Sequence, residues 1–94
     1  MKKWRVNDMT KQNVTVKNQT GLRLRPAGIV CRTAMLYKSH ITLGMGDTTA
    51  NAKSVLSVLG AGVKAGDVIE ITCEGADENE ALEAMVNLFE SGLE

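Results

Sequence analysis

Residues 67–74 read Asp-Val-Ile-Glu-Ile-Thr-Cys-Glu, and their alternation decides the fold class. Ile69, Ile71 and Cys73 point one way along an extended chain, while Glu70, Thr72 and Glu74 point the other. A strand with one apolar and one charged face belongs to a sheet covered on one side only, which favours antiparallel pairing. Downstream, Asp77 with Glu80 three residues later suggests an aspartate version of the capping box. Leu82, Met85, Val86 and Phe89 then recur at helical spacing, giving the last helix a buried stripe. Upstream, Ser54 precedes Val55, Leu56, Val58 and Leu59, a short apolar helix ended by Gly60 and Gly62. A strand near Thr48–Lys53 and another around Ile41 and Leu43 flank the turn residues Gly44, Gly46 and Asp47. A helix from Leu24 to Lys38 is predicted from Val30, Cys31, Ala34 and Tyr37, with Pro26 in its first turn. Residues 13–18 alternate again, Val14 and Val16 inward. The predicted order is β-α-β-β-α-β-α, an α+β two-layer sandwich of antiparallel sheet and helices.

The chain of 94 residues is long enough for one domain with a modest core. Its 44% hydrophobic and 23% charged residues are those of an ordinary globular protein. No apolar run approaches a membrane span, and no signal-type core follows the basic N-terminus, so a cytoplasmic location without membrane contact is expected. Cys31 and Cys73 stand 42 residues apart in apolar periodic segments and are expected to be buried, reduced thiols. The net charge of zero conceals a polarity along the chain. Residues 1–50 carry nine Lys/Arg against Asp8 and Asp47, a balance of +7, and residues 51–94 carry the opposite, −7. With Trp4, Tyr37 and Phe89 as the whole aromatic complement, direct nucleic-acid binding is not expected. No residue grouping suggests a metal site or a cofactor.

Two further segments carry the functional information. Residues 21–28 read Gly-Leu-Arg-Leu-Arg-Pro-Ala-Gly, and residues 51–59 read Asn-Ala-Lys-Ser-Val-Leu-Ser-Val-Leu. Together they resemble the two signature regions of the HPr phosphocarrier family of the bacterial sugar phosphotransferase system. Gly75-Ala76-Asp77-Glu78 matches the G-x-D-E that the family places before its last helix. With Arg23 on the family's histidine, the resemblance runs without a gap from Met9, about 86 of the 94 residues. It implies an HPr-like domain over 9–94: an open-faced sandwich of a four-stranded antiparallel sheet with three helices on one face. Residues 1–8 are then an N-terminal extension in which Trp4 is the notable side chain.

In the family the first segment typically reads GLHARPA, and the histidine carries the phosphoryl group at a helix N-terminus, where free N–H groups and the helix dipole favour an anion. Here Arg23 occupies that place, and a guanidinium has no free nitrogen lone pair with which to attack. No catalytic residue is therefore assigned. Arg25 keeps the family's phosphate-binding arginine, so Arg23 and Arg25 form a candidate anion site. Leu24 and Gly28 also depart from the usual alanines. His40, the only histidine, starts the second strand and is expected to be a partly exposed strand-edge residue.

Ser54 matches the serine that a dedicated HPr kinase phosphorylates in many Gram-positive bacteria. It is expected to cap its helix in any case, and a phosphate there would meet a favourable dipole. The resemblance places a partner-docking face on Val55, Leu56 and Leu59, with Lys53 beside the serine. It implies a non-enzymatic, monomeric regulatory protein of carbon catabolite repression, with HPr kinase/phosphorylase and a catabolite control transcription factor as partners. The alternatives are a phosphocarrier with an unusual acceptor and an interaction module recruited to a non-sugar pathway, where Ser54 is only a cap.

Overall fold

The computed structural model describes residues 9–93, so the extension carrying Trp4 lies outside the described residues. The elements are β1 (Met9–Thr15), α1 (Leu24–Ala34), β2 (His40–Met45), β3 (Thr48–Asn51), α2 (Val55–Gly60), β4 (Val68–Glu74) and α3 (Glu78–Glu90). The four strands form one antiparallel sheet in the order β1-β4-β2-β3. Residue pairing explains the two unlike faces. Leu43 lies opposite both Ile71 and Ala50, Ile41 opposite Cys73, and Ile69 opposite Val14, all buried beneath the helices. One step along, Lys11, Thr72, Thr42 and Asn51 make a polar row across all four strands. The helical layer closes the core with Ala27, Val30, Ala34, Val58, Ala81, Met85 and Phe89. Burying a side chain such as Phe89 contributes about 1.5–3 kcal/mol. No described helix is long and apolar enough to cross a membrane.

Several boundaries differ from the sequence expectation, each for a tertiary reason. β1 starts at Met9 and stops at Thr15, not over 13–18, because β4 pairs with residues whose own pattern is mostly polar. Val16 is buried as expected, and its N–H and C=O bond Asp67 and Gly66 just beyond the strand. β3 ends at Asn51, not Lys53, because Lys53 belongs to the turn that leads into α2. α3 buries Glu78, Ala81, Met85 and Phe89, with Leu82 and Val86 partly buried beside them, so its stripe centres one residue earlier than expected.

The largest correction concerns α1 and Asp77 together. α1 ends at Ala34, four residues before Lys38, and Asp77 makes no side-chain cap on its own helix. Its carboxylate instead accepts the N–H groups of Lys38 and Ser39 at 2.9 Å each, and the Ser39 hydroxyl. That clasp stops α1 from propagating and directs the chain into β2. Glu78 takes over the local role, accepting the Gly75 N–H at 3.1 Å. His40 follows the clasp and is exposed; β2 is an inner strand, but His40 pairs only with Glu74 on β4, the ladder to β3 beginning at Thr42.

Hydrogen bonds from the Ser39 hydroxyl and the Lys38 N–H hold the Asp77 carboxyl below its ordinary value of 3.8. A depressed acid contributes stability that is present above the unfolded-state pKa and is lost as pH falls through the lower folded value. Asp77→Asn is therefore expected to lower Tm at neutral pH, with the gap to wild type closing below about pH 4. Thermal scans of both proteins across that range check it, and a gap that does not change with pH would refute it.

Candidate functional site

The chain reaches α1 through a loop whose path is tightly fixed. Gly21 lies at φ +64°, and a Cβ there would come within 2.6 Å of the Val63 carbonyl oxygen and 2.8 Å of Lys64 Cα. This close approach lets Leu22 donate its N–H to Val63 at 3.0 Å and bury its side chain. Asn18 braces the turn from the other side, its amide donating to the Gly21 carbonyl at 2.6 Å. Arg23 therefore arrives at the N-cap of α1 with extended backbone, and its carbonyl accepts the Ala27 N–H at 2.8 Å.

Arg23 makes no capping bond, and the first turn contains no acidic residue. Arg23, Leu24 and Arg25 are exposed, while Pro26 is buried in the same turn. The structure thus brings the two expected anion-binding arginines together at one helix N-terminus. They border an open groove of about 1040 Å³, whose wall also includes Lys17, Asn18, Arg32 and the segment Ser91–Leu93 that follows α3. Lys17, Asn18 and Arg32 were not anticipated. Only Arg32 had a local signal, its spacing of seven residues from Arg25 on one helix face.

His40 lies far from this groove. The loop before α1 is tied to Asp67 and Gly66, at one end of β4, whereas His40 is paired with Glu74 at the other. Six residues of strand separate those ends by roughly 20 Å. The imidazole therefore cannot act at the N-terminus of α1.

The second region is a network around Ser54. Ser54 is the N-cap of α2, its hydroxyl accepting the Ser57 N–H at 3.2 Å, as the sequence suggested. The Ser57 hydroxyl accepts the Asn51 N–H at 2.9 Å, and the Asn51 side chain accepts the Lys53 N–H at 2.9 Å. Lys53 Nζ donates to the Tyr37 carbonyl at 2.7 Å, and the Cys31 thiol donates to the Lys53 carbonyl at 3.1 Å. Both ends of Lys53 are thereby anchored to α1 or the turn after it.

Of the three expected docking side chains, Leu56 is 81% exposed, while Val55 and Leu59 are half-buried against the core. A shallow depression of about 570 Å³ joins Leu59 to Leu24 and Arg23, so the two regions share one surface. Both cysteines are free and buried. Burial, then the charge of Glu78, pushes the Cys73 thiol up to about 11, leaving it protonated and unreactive at neutral pH. Among the described residues no three His, Cys, Asp or Glu side chains group as a metal site.

Comparison with known proteins gives consistent matches. Residues 10–91 match the family model described as the PTS HPr component phosphorylation site. The HPr-like protein Crh of Halalkalibacterium halodurans is 34% identical over 82 residues, covering 87% of this chain and 98% of that protein. The structure of HPr-C-His from Thermoanaerobacter tengcongensis superposes with a TM-score of 0.86 at 37% identity, covering 89% of this chain and 94% of the other. That of Bacillus subtilis Crh, described as a domain-swapped dimer, gives 0.72 at 31% identity, covering 86% and 93%.

Proposed function

The chain belongs to the HPr family of the phosphotransferase system, and on that premise we propose that it is a regulatory protein-binding module and not a histidyl phosphocarrier. The observation that carries the reading is Arg23 at the N-cap of α1, where the family resemblance expects histidine. A guanidinium there attracts anions but cannot accept a phosphoryl group. Control passes instead to Ser54, a hydroxyl at the start of α2 beside the exposed Leu56 and the half-buried Val55 and Leu59. An ionisable switch next to exposed aliphatic surface suits recognition by other proteins. The partners proposed are an HPr kinase/phosphorylase and a catabolite control transcription factor. The protein acts by binding, without catalysis of its own, and in the cytoplasm.

Incubation with HPr kinase and ATP, followed by intact mass and peptide mapping, tests this reading. One phosphate on Ser54 is expected, with the fold retained. Ser54→Ala should abolish the label and cost about 1 kcal/mol of stability through loss of the cap. Mapping to Ser57 or Ser39 would refute the assignment, as would no label under conditions that modify an authentic HPr. Ser39 is 1% exposed and its hydroxyl is bonded to Asp77, so it is a poor substrate. If no phosphate is taken up, Ser54 is only the cap that its bond to Ser57 makes it, and an interaction module of another pathway becomes the better reading.

Arg23 and Arg25 are proposed to hold an anion at the N-terminus of α1. Affinity for inorganic phosphate should be on the order of millimolar, because the site is open and salt-screened. In an amide NMR titration the shifts should centre on residues 23–27, where Pro26 alone lacks an amide proton. If other amides move while these stay still, the site is lost. A monomer is proposed in solution. Sedimentation equilibrium across a range of concentrations decides between that and the exchanged dimer described for Bacillus subtilis Crh.

A further inference from the structure

We propose that Lys53 is a positioning residue for the phosphorylation of Ser54, a strut that fixes the acceptor turn and not a cation that the kinase reads. The inference rests on the seryl reading above and deepens it. In that step the Ser54 hydroxyl oxygen attacks the γ-phosphorus of ATP, the bond to ADP breaks, and the hydroxyl proton passes to a base of the kinase. Lys53 acts on this step through the backbone that carries Ser54.

The direction of the ammonium is the first support. A lysine that serves a partner extends into water, yet Lys53 is half-buried and its Nζ donates to the Tyr37 carbonyl at 2.7 Å, in the turn that follows α1. A bond from a charged donor is among the stronger kind. The backbone of the same residue is fixed as well. The Cys31 thiol, on α1, donates to the Lys53 carbonyl at 3.1 Å, and the Asn51 side chain accepts the Lys53 N–H at 2.9 Å. Lys53 is thus held at its side chain, its carbonyl and its N–H, and the first two holds cross to α1 or the turn after it.

The turn around it is built to the same end. Ala52 is buried and donates its N–H to the Ile41 carbonyl at 2.9 Å. Asn51 donates to Ser57 Oγ at 2.9 Å, and Ser54 donates to the Asn51 carbonyl at 3.0 Å. The Ser54 carbonyl in turn accepts the Val58 N–H at 3.0 Å. Every backbone N–H from Asn51 to Ser54 therefore has a partner within the molecule. The acceptor serine is presented on an ordered surface, and binding pays nothing to fold a loop around it. Of the bonds named, those of Lys53 alone brace this turn against α1 and the turn after it. Phosphoryl transfer is sensitive to such bracing, because misplacing a reacting atom by about 1 Å costs on the order of a hundredfold in rate.

The test follows steady-state phosphorylation of the full chain by HPr kinase and ATP at about 50 mM and about 300 mM salt. Lys53→Met keeps the aliphatic stem and removes the ammonium. Cys31→Ala removes the second anchor while leaving the charge of Lys53 in place, and Cys31→Ser returns a hydroxyl donor there. Lys53→Met should lower kcat about tenfold and Cys31→Ala about threefold, with KM for the protein substrate within about twofold of wild type. The salt dependence of kcat/KM should not change in either, and Cys31→Ser should recover most of the rate. A docking cation behaves otherwise: its loss raises KM and flattens the salt dependence, while Cys31→Ala has no effect. That pattern overturns the inference and leaves Ser54 as the phosphorylated residue, as does a Cys31→Ser no faster than Cys31→Ala. Thermal melts show which variants are folded, and the kcat and salt readouts of Lys53→Met decide the matter even if Cys31→Ala is not. A wild type that takes up no phosphate ends the seryl reading and this inference together.

Discussion

Treated with phosphoenolpyruvate and the first enzyme of the phosphotransferase system, the wild-type protein is expected to take up no phosphoryl label. The expectation rests on what α1 offers at its N-terminus. Arg23 is exposed and well placed to meet a phosphoryl donor, but a guanidinium offers no free nitrogen lone pair with which to attack. The only histidine, His40, lies at the far end of β4 from the groove. Histidine phosphate is acid-labile, so intact mass before and after acid treatment separates it from seryl phosphate. Stoichiometric acid-labile label on the wild type would overturn the proposed function directly. Arg23→His should gain partial labelling, because Arg25 and the helix N-terminus are already in place. Recovery should stay incomplete, since Leu24, 68% exposed, and Gly28 alter the surface that the donor enzyme meets.

The second large effect is expected at Gly21. Replacing it with alanine places a Cβ 2.6 Å from the Val63 carbonyl oxygen and 2.8 Å from Lys64 Cα, both backbone atoms. Neither can turn aside as a long side chain would. The left-handed conformation itself costs a non-glycine residue about 1–2 kcal/mol, and overpacking adds about 1–3 kcal/mol more. A loss of about 2–4 kcal/mol is expected, a large share of the stability of a domain this size. Urea denaturation measures it, and a loss below about 0.5 kcal/mol would show that the loop relaxes freely. The surviving folded protein should also bind phosphate more weakly, because Leu22 and Arg23 are seated by the same contact. Gly46→Ala provides a comparison: it shares a positive φ, at +60°, but has nothing within 4 Å of the added atom.

What was legible in the sequence follows from where the determining forces lie. The alternation of 68–74, the capping Ser54 and the Pro26 helix start are local signals, and each element forms where it is expected. The end of α1 is different. Val30, Cys31, Ala34 and Tyr37 keep a helical spacing, yet the helix stops at Ala34 because Asp77, far along the chain, takes the N–H groups of Lys38 and Ser39. A carboxylate that looks like a local cap serves a distant loop, and the sequence alone cannot choose between the two uses. The beginning of β1 is hidden for a related reason, its polar residues owing their extended form to the ladder with β4. At the groove, Arg23 and Arg25 were visible from the motif. Lys17 and Asn18 come from the preceding loop and join them only through the fixed turn at Gly21.

The strand order β1-β4-β2-β3 has a consequence for how the protein comes into being. β4 is the bridge between β1 and β2, and it emerges after both during synthesis. Until residues 68–74 are made, the β2–β3 hairpin is the only strand pair the chain can complete, and an isolated hairpin is marginal in water. Such non-local pairing slows folding, since the loop must close before any contact rewards it. The groove is later still, because Ser91–Leu93 form part of its wall. A nascent chain therefore presents the basic residues of its first half before the acidic residues that balance them have been made. The synthesis of β4 and of residues 91–93, and not the appearance of either motif, is what first gives this molecule a groove to present.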